Sequence, residues 1–196
     1  MNYIISIDPG FGASGTAVSV FREETLIAQK IIRFQKTREA KTAEEKAYPF
    51  YKKIQDIIGV ILWFAAQIGK NPGAAYRVVK EFNLMQGQAA EQHHLLEGAL
   101  MYQFGAAYDR IHAMTVKKMI TGQGSIKYPT VKKPTPEWPN GMPAKEKHKL
   151  EKARMALAIK DHLTEEEAKI ITWDDEDSVD SVCIGKAYIL KQGGKK

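Results

Sequence analysis

The chain has 196 residues, 44% of them hydrophobic, which is enough for one sizeable buried core and leaves little for a second. Its single cysteine, Cys183, excludes an internal disulfide and fits a reducing, cytoplasmic setting. The most apolar run, Ile57 to Ala66, is too short to span a bilayer, Asp8 interrupts the N-terminal apolar stretch so that no signal peptide is expected, and a net charge of +6 points toward a polyanionic partner.

Tyr3 to Ile7 reads as a strand that breaks at Asp8-Pro9-Gly10. Thr16 to Phe21 and Leu26 to Phe34 read as two more, joined by a polar turn at Arg22 to Thr25 into an antiparallel meander. Thr42 with Glu45 forms a capping-box pattern. Tyr51, Ile54, Ile57, Ile58, Ile61, Leu62 and Ala65 then recur at helical spacing until Gly69 and Pro72 end the helix. Tyr76 to Glu81 is a fourth strand. Gln88 to Phe104 is a second helix, with Ala89, Leu95, Leu96, Ala99 and Leu100 as its buried face.

Arg110 to Met114 reads as a fifth strand, and Thr115 as the cap of a brief helix ending at Gly122. The Pro-rich stretch Gly122 to Pro143 is expected to be a long surface loop, and loops of that length in a compact domain are usually functional or disordered. Helices follow at Lys145 to His162 and from about Asp174 to Lys191. No repeat or domain boundary is visible. A meander followed by two strand-helix-strand returns, each parallel and right-handed, gives an α/β fold with a five-stranded mixed sheet in the order 3-2-1-4-5.

In such a sheet Asp8, after the first strand, and Glu81, closing the fourth, converge at the carboxyl ends where ligands bind. Asp177 and Asp180 share one face at the start of the last helix. Acids are enriched in first helical turns for stability alone, which accounts for Asp174, Asp175 and Glu176, and on its own for Asp177. Asp180 begins the apolar run Val182 to Ile189, where a charge needs a chemical reason. Four such carboxylates suit hard divalent cations, and two of these can drive phosphodiester cleavage. The charges along the chain are also segregated. Lys117, Lys118, Lys127, Lys132, Lys133, Lys145, Lys147, Lys149, Lys152 and Arg154 crowd one stretch, against Glu137, Glu146 and Glu151. That is either a solvated face or a phosphate-contacting one.

Four blocks in order, IISIDPGFGASGTAV at Ile4 to Val18, VVKEFNLMQGQ at Val78 to Gln88, VKKMITGQGSIK at Val116 to Lys127 and DSVDSVCIGKAYI at Asp177 to Ile189, resemble the RuvC-like Holliday junction resolvases of the ribonuclease H-like superfamily. The resemblance implies Asp8, Glu81, Asp177 and Asp180 as ligands of two Mg²⁺ or Mn²⁺ ions, and a homodimer that cuts two strands of a four-way DNA junction. It also implies Lys117 as a phosphate contact with Lys118 beside it, either Lys145 or Lys147 as a second, and either Phe82 or Leu84 as the apolar residue that probes the junction. Tyr128 to Ala144 looks like an insertion relative to bacterial resolvases, as in a bacteriophage or prophage member. Nothing in the chain bears on a helicase partner.

Other features are given plainer readings. His93 and His94 are adjacent and cannot easily face one ion, so an exposed helix or dimer surface is expected. Gly10, Gly12 and Gly15 precede a strand and not the helix that a phosphate loop requires. Trp63 and Phe64 read as core or interface aromatics, while Trp138 stands between local packing and stacking on an unpaired base. An actin-like ATPase shares the opening hairpin but needs a second phosphate loop and subdomain. A branch, flap or RNA-processing nuclease and a DNA-binding module without catalysis are the remaining alternatives.

Overall fold

The computed structural model describes residues 1–11, 15–34, 43–82, 88–123, 128–130, 132–133 and 135–193. The Thr42–Glu45 capping box, Gly12, Leu84 and Lys127 lie outside the described side chains.

Strands β1 (Asn2–Pro9), β2 (Thr16–Arg22) and β3 (Thr25–Ile32) form an antiparallel meander, with Gly15 at φ +94° entering β2. A Cβ there would lie 2.2 Å from the Ile32 carbonyl oxygen, so the position requires glycine on both counts. Helix α1 (Ala43–Gly69) leads to β4 (Ala75–Phe82), which pairs parallel with β1. Helix α2 (Gln88–Phe104) and a 3₁₀ turn lead to β5 (Tyr108–His112), parallel to β4. The sheet order is 3-2-1-4-5, as the element pattern requires.

Two apolar layers sit on opposite faces of this sheet. Tyr3, Ile5, Ile7, Val18, Val20 and Val78 pack against Ile57, Ile61 and Phe64 of α1 and Leu96 and Leu100 of α2. Phe21, Leu26, Val79 and Ile111 face the other way. They meet α3 (Ala113–Thr121), α4 (Ala144–Ala158) and α6 (Glu176–Gly193), with the short α5 (Glu165–Ile170) closing over β3. No helix among the described residues is long and apolar enough to cross a membrane.

The structure moves several expected boundaries. β3 ends at Ile32 and does not reach Phe34. β5 starts two residues before Arg110, and α3 is capped by His112, whose Nδ1 accepts the Met114 N–H at 3.1 Å, so Thr115 lies inside the helix. Leu96 and Leu100 of α2 are buried, but Leu95 is 43% exposed because it sits one residue off the stripe that meets the sheet. Of the adjacent aromatics, Phe64 is core and Trp63 is 55% exposed with the Lys30 ammonium over its ring. The Pro-rich loop is tied by local backbone bonds between Thr130 and Lys133, between Thr135 and Trp138, and from Met142 N to the Pro129 carbonyl oxygen.

α6 lies unusually close to the sheet because Gly185 faces Phe21. A Cβ on Gly185 would stand 2.1 Å from a ring that is fully buried and has nowhere to move. Gly185→Ala is therefore expected to lower stability by about 1–3 kcal/mol through overpacking, read as a shifted urea midpoint at constant m. An unchanged midpoint would show that the helix can ride higher than the packing implies.

Candidate active site

The alternation of side chains along β1 and β4 decides where the acids point. Ile5 and Ile7 face α1 and α2, so Ser6 and Asp8 face α6; Val79 faces α6, so Glu81 does too. The parallel ladder ends at Ile7 opposite Lys80, which leaves Asp8 and Glu81 as the next residues on neighbouring strands.

Asp177 and Asp180 come from the first two turns of α6, and a buried polar seam holds that helix in register. The Ser6 hydroxyl donates to the Ser181 carbonyl oxygen at 2.7 Å, and the Ser19 and Ser181 hydroxyls are 2.7 Å apart. Gln29 Nε2 donates to Ser19 Oγ and to the Ser178 carbonyl oxygen, both at 2.9 Å, while the Ser178 hydroxyl donates back to Gln29 Oε1. Asp175 accepts the Ser178 N–H at 2.7 Å and pairs with Arg33, so this acid holds the helix start, as first-turn acids commonly do. The serines flank the two aspartates in sequence, and anchoring one set aims the other.

Asp8, Glu81, Asp177 and Asp180 line one cleft of about 610 Å³ together with Lys80, Phe82, His93, Lys117, Glu151 and Lys152. Burial, then Asp180, Asp177 and Glu81, hold the Asp8 carboxyl well above the ordinary range, with Lys152 opposing them. Burial and Asp180 push Glu81 up to about 7 against the pull of Lys117, Lys152 and Lys80. Lys152 pairs with Asp180. Burial acts against its ammonium, but Asp180 and Asp8 more than offset this and its pKa is raised. On the other side of β4, Lys80 is buried with its pKa lowered by burial, and it donates to the Glu81 carbonyl oxygen at 3.0 Å.

The expected DNA-contacting residues divide. Lys117 is in the cleft, 2.9 Å from Glu151, and Phe82 is at its edge with Arg110 over the ring at 4.9 Å. Lys118, Lys132, Lys133 and Lys145 are exposed and do not line the cleft, whereas Lys147 lies over the Tyr128 ring at 5.3 Å. His93 differs from its expected exposure. It is half-buried in the cleft, edge-on to Phe11 at 5.3 Å, and burial with Lys80 pushes its pKa to about 4, so it is neutral at pH 7.

Lys152 was not singled out by the charge pattern. The signal for it was positional: His148, Lys152, Met155 and Ile159 fall at helical spacing, and Met155 and Ile159 are buried, so this lysine sits on the inward stripe of α4.

Among the described residues no three His, Cys, Asp or Glu side chains form a group that could hold a metal ion. Mg²⁺ ordinarily keeps several waters and takes one or two protein carboxylates. An all-oxygen set in which burial and mutual repulsion push two acids toward their neutral forms is chemically suited to added positive charge.

A Thermus thermophilus RuvC structure aligns over 98% of this chain and 96% of its own length, with TM-score 0.58 and 16% identity. T. thermophilus RuvC in complex with Holliday junction substrate aligns over the same shares, with TM-score 0.54 and 15% identity. No protein-family model and no curated protein matches the chain. The class is thus the ribonuclease H-like α/β fold, a five-stranded mixed sheet flanked by helices. Within that class the chain is RuvC-like in fold, and the comparisons give no support to a bacteriophage origin.

The acids predict a pH dependence of the metal-free protein. A carboxyl whose pKa is higher folded than unfolded binds its proton more tightly in the native state. Its stabilisation is complete below the ordinary carboxylate range and is lost as pH rises toward about 7. The melting temperature in EDTA should fall across that window, and Glu81→Gln should flatten the fall. An identical slope in the variant would show that Glu81 is not the group responsible.

Proposed function

We propose that this chain is a single-domain, metal-dependent endonuclease that resolves four-way DNA junctions by paired nicks, acting as a homodimer in the cytoplasm. The observation that carries this reading is the convergence of Asp8, Glu81, Asp177 and Asp180, from three separate parts of the chain, in one cleft with Lys117 and Lys152. The RuvC-like fold supports it, since one of the similar structures is bound to a Holliday junction.

The four acids would hold two Mg²⁺ or Mn²⁺ ions, which when bound activate a water and stabilise the leaving oxygen. The chain's own residues do the rest. Lys117 positions a backbone phosphate beside the acids, and Lys118, Lys127, Lys132, Lys133, Lys145 and Lys147 extend the phosphate track outward without reading sequence. Lys152 neutralises Asp180 and lowers the mutual repulsion at Asp8. Phe82, held under Arg110, offers an apolar face at the cleft edge for an unstacked base. Lys80 supports the Glu81 backbone from behind. The other branched-DNA and RNA nuclease readings share this chemistry and differ in substrate. An actin-like ATPase would need a second subdomain, and the described sheet has none.

One gel decides between these readings. Cleavage of a four-way junction, a flap, a duplex and a structured RNA is compared in Mg²⁺ and in EDTA, with metal-dependent paired cleavage of the junction expected. Asp8→Asn, Glu81→Gln, Asp177→Asn and Asp180→Asn should each lower cleavage by about a hundredfold or more, as expected from losing several kcal/mol of metal-borne transition-state stabilisation, while junction binding persists. Near-normal cleavage by Asp180→Asn would remove it from the site.

A junction presents two symmetry-related scissile phosphates, which a C₂ dimer meets with two identical sites. Light scattering should give twice the chain mass of 22.0 kDa. A strict monomer making paired nicks would refute the dimeric mechanism.

A further inference from the structure

Glu97, Glu151 and Glu176 line the cleft without a part in the metal chemistry, and Glu151 is the one that faces a DNA-contacting lysine. Glu151 projects from α4 to Lys117 on α3, its Oε2 2.9 Å from the ammonium, and both side chains are partly exposed. Three residues on, and so on the same face of α4, Arg154 reaches across to α3. Its Nη2 donates to Thr121 Oγ1 at 2.8 Å and toward the Gln123 carbonyl oxygen at 3.3 Å. Tyr128 completes the surroundings. Its hydroxyl is buried with no hydrogen-bond partner among the described residues, and it lies within the electrostatic reach of Glu151, Arg154 and Lys117. The Lys147 ammonium lies over the same ring.

The Glu151 carboxylate thus pairs with Lys117, and Tyr128, with its unanswered hydroxyl, lies within reach of both and of Arg154. As a stabilising device the Lys117–Glu151 pair is weak, because a half-exposed ion pair contributes about 0–1 kcal/mol. As a seat for an anion the surroundings are suitable, with one charge-assisted donor in place at Lys117 and the Tyr128 hydroxyl and Arg154 guanidinium nearby. A phosphodiester offers the same negative charge as a carboxylate and two acceptor oxygens.

We propose that Lys117, Tyr128 and Arg154 form a subsite for a backbone phosphate of the bound nucleic acid, and that Glu151 occupies it as an internal phosphate mimic until the strand displaces it. The proposal rests on the nuclease reading and deepens it. The neighbouring residue, Lys152, holds Asp180. The same turn of α4 therefore covers the phosphate seat with Glu151 and one metal-binding acid with Lys152, and a strand entering the cleft with its cations exchanges both pairs.

The test measures binding of a four-way junction and of a duplex in EDTA, where no cleavage occurs, by fluorescence anisotropy across a salt series. Glu151→Gln should tighten binding about threefold to tenfold and steepen the salt dependence by roughly 0.9 per phosphate gained. The shorter acid in Glu151→Asp keeps the charge but cannot reach Lys117. It should give a smaller gain, and it decides the matter if the glutamine variant melts. In a Lys117→Ala background the Glu151→Gln gain should vanish, because the carboxylate and the phosphate compete for that one ammonium.

Glu176→Gln, at the exposed rim of the same cleft, is the control for a general loss of negative charge. A gain there equal to that of Glu151→Gln would overturn the subsite. So would unchanged or weaker binding in both Glu151 variants, or a full gain retained without Lys117. Failure of the wild type to bind any of these nucleic acids overturns the nuclease reading together with this one, whereas wild-type binding without a gain overturns this one alone.

Discussion

The site depends on a row of small hydroxyl side chains under α6. Ser6, Ser19, Ser178 and Ser181 are all fully buried, and with Gln29 they satisfy one another across the gap between helix and sheet. A buried hydroxyl without a partner costs about 1–3 kcal/mol, so a slip of α6 by one residue would orphan several groups at once. Apolar contacts alone would tolerate sliding. The polar seam does not, and it translates one register of α6 into one placement of Asp177 and Asp180 against Asp8 and Glu81. Gly185 serves the same end further along by letting the helix descend onto Phe21.

A precise register gathers like charges, and the molecule answers them unequally. Asp180 has Lys152, while Asp8 and Glu81 are left with raised pKa values because burial and their neighbours outweigh the available cations. At the far end of α6 the opposite arrangement holds. Lys186 is buried against Glu167 at 2.8 Å and also donates to the Glu24 carbonyl oxygen, and Glu167 is further bonded by the N–H groups of Thr164 and Leu26. One end of the helix is electrostatically closed and the other is left open to ligands.

The sheet order and the convergence of Asp8 with Glu81 were legible in the sequence, because strand alternation and parallel returns leave few topologies. The Asp177 and Asp180 spacing was legible for the same kind of reason. What was missed involved side chains whose meaning depends on a distant partner. Thr164 and Glu167 carry a capping-box pattern that the acidic crowding of the segment masked, and α5 went unread. Lys152 looked like one more lysine in a basic run until burial of Met155 and Ile159 showed which stripe of α4 faces inward. His93 and His94 are adjacent, but residues next to each other on a helix point about 100° apart, so although both border the cleft only His93 is half-buried there while His94 stays exposed.

Glu167 has one further effect through its hydrogen bond to the Leu26 N–H at 2.7 Å. β3 is an edge strand, and an open edge is a template on which another chain can extend a sheet. The carboxylate answers one of the outward N–H groups, its helix lies against the strand, and the charge is fixed by a buried lysine that cannot follow an incoming strand away. The ion pair that closes the inner end of α6 therefore also blunts the sheet where strand addition would begin. Strand addition at the β3 edge is thereby disfavoured where Leu26 would otherwise offer its N–H group.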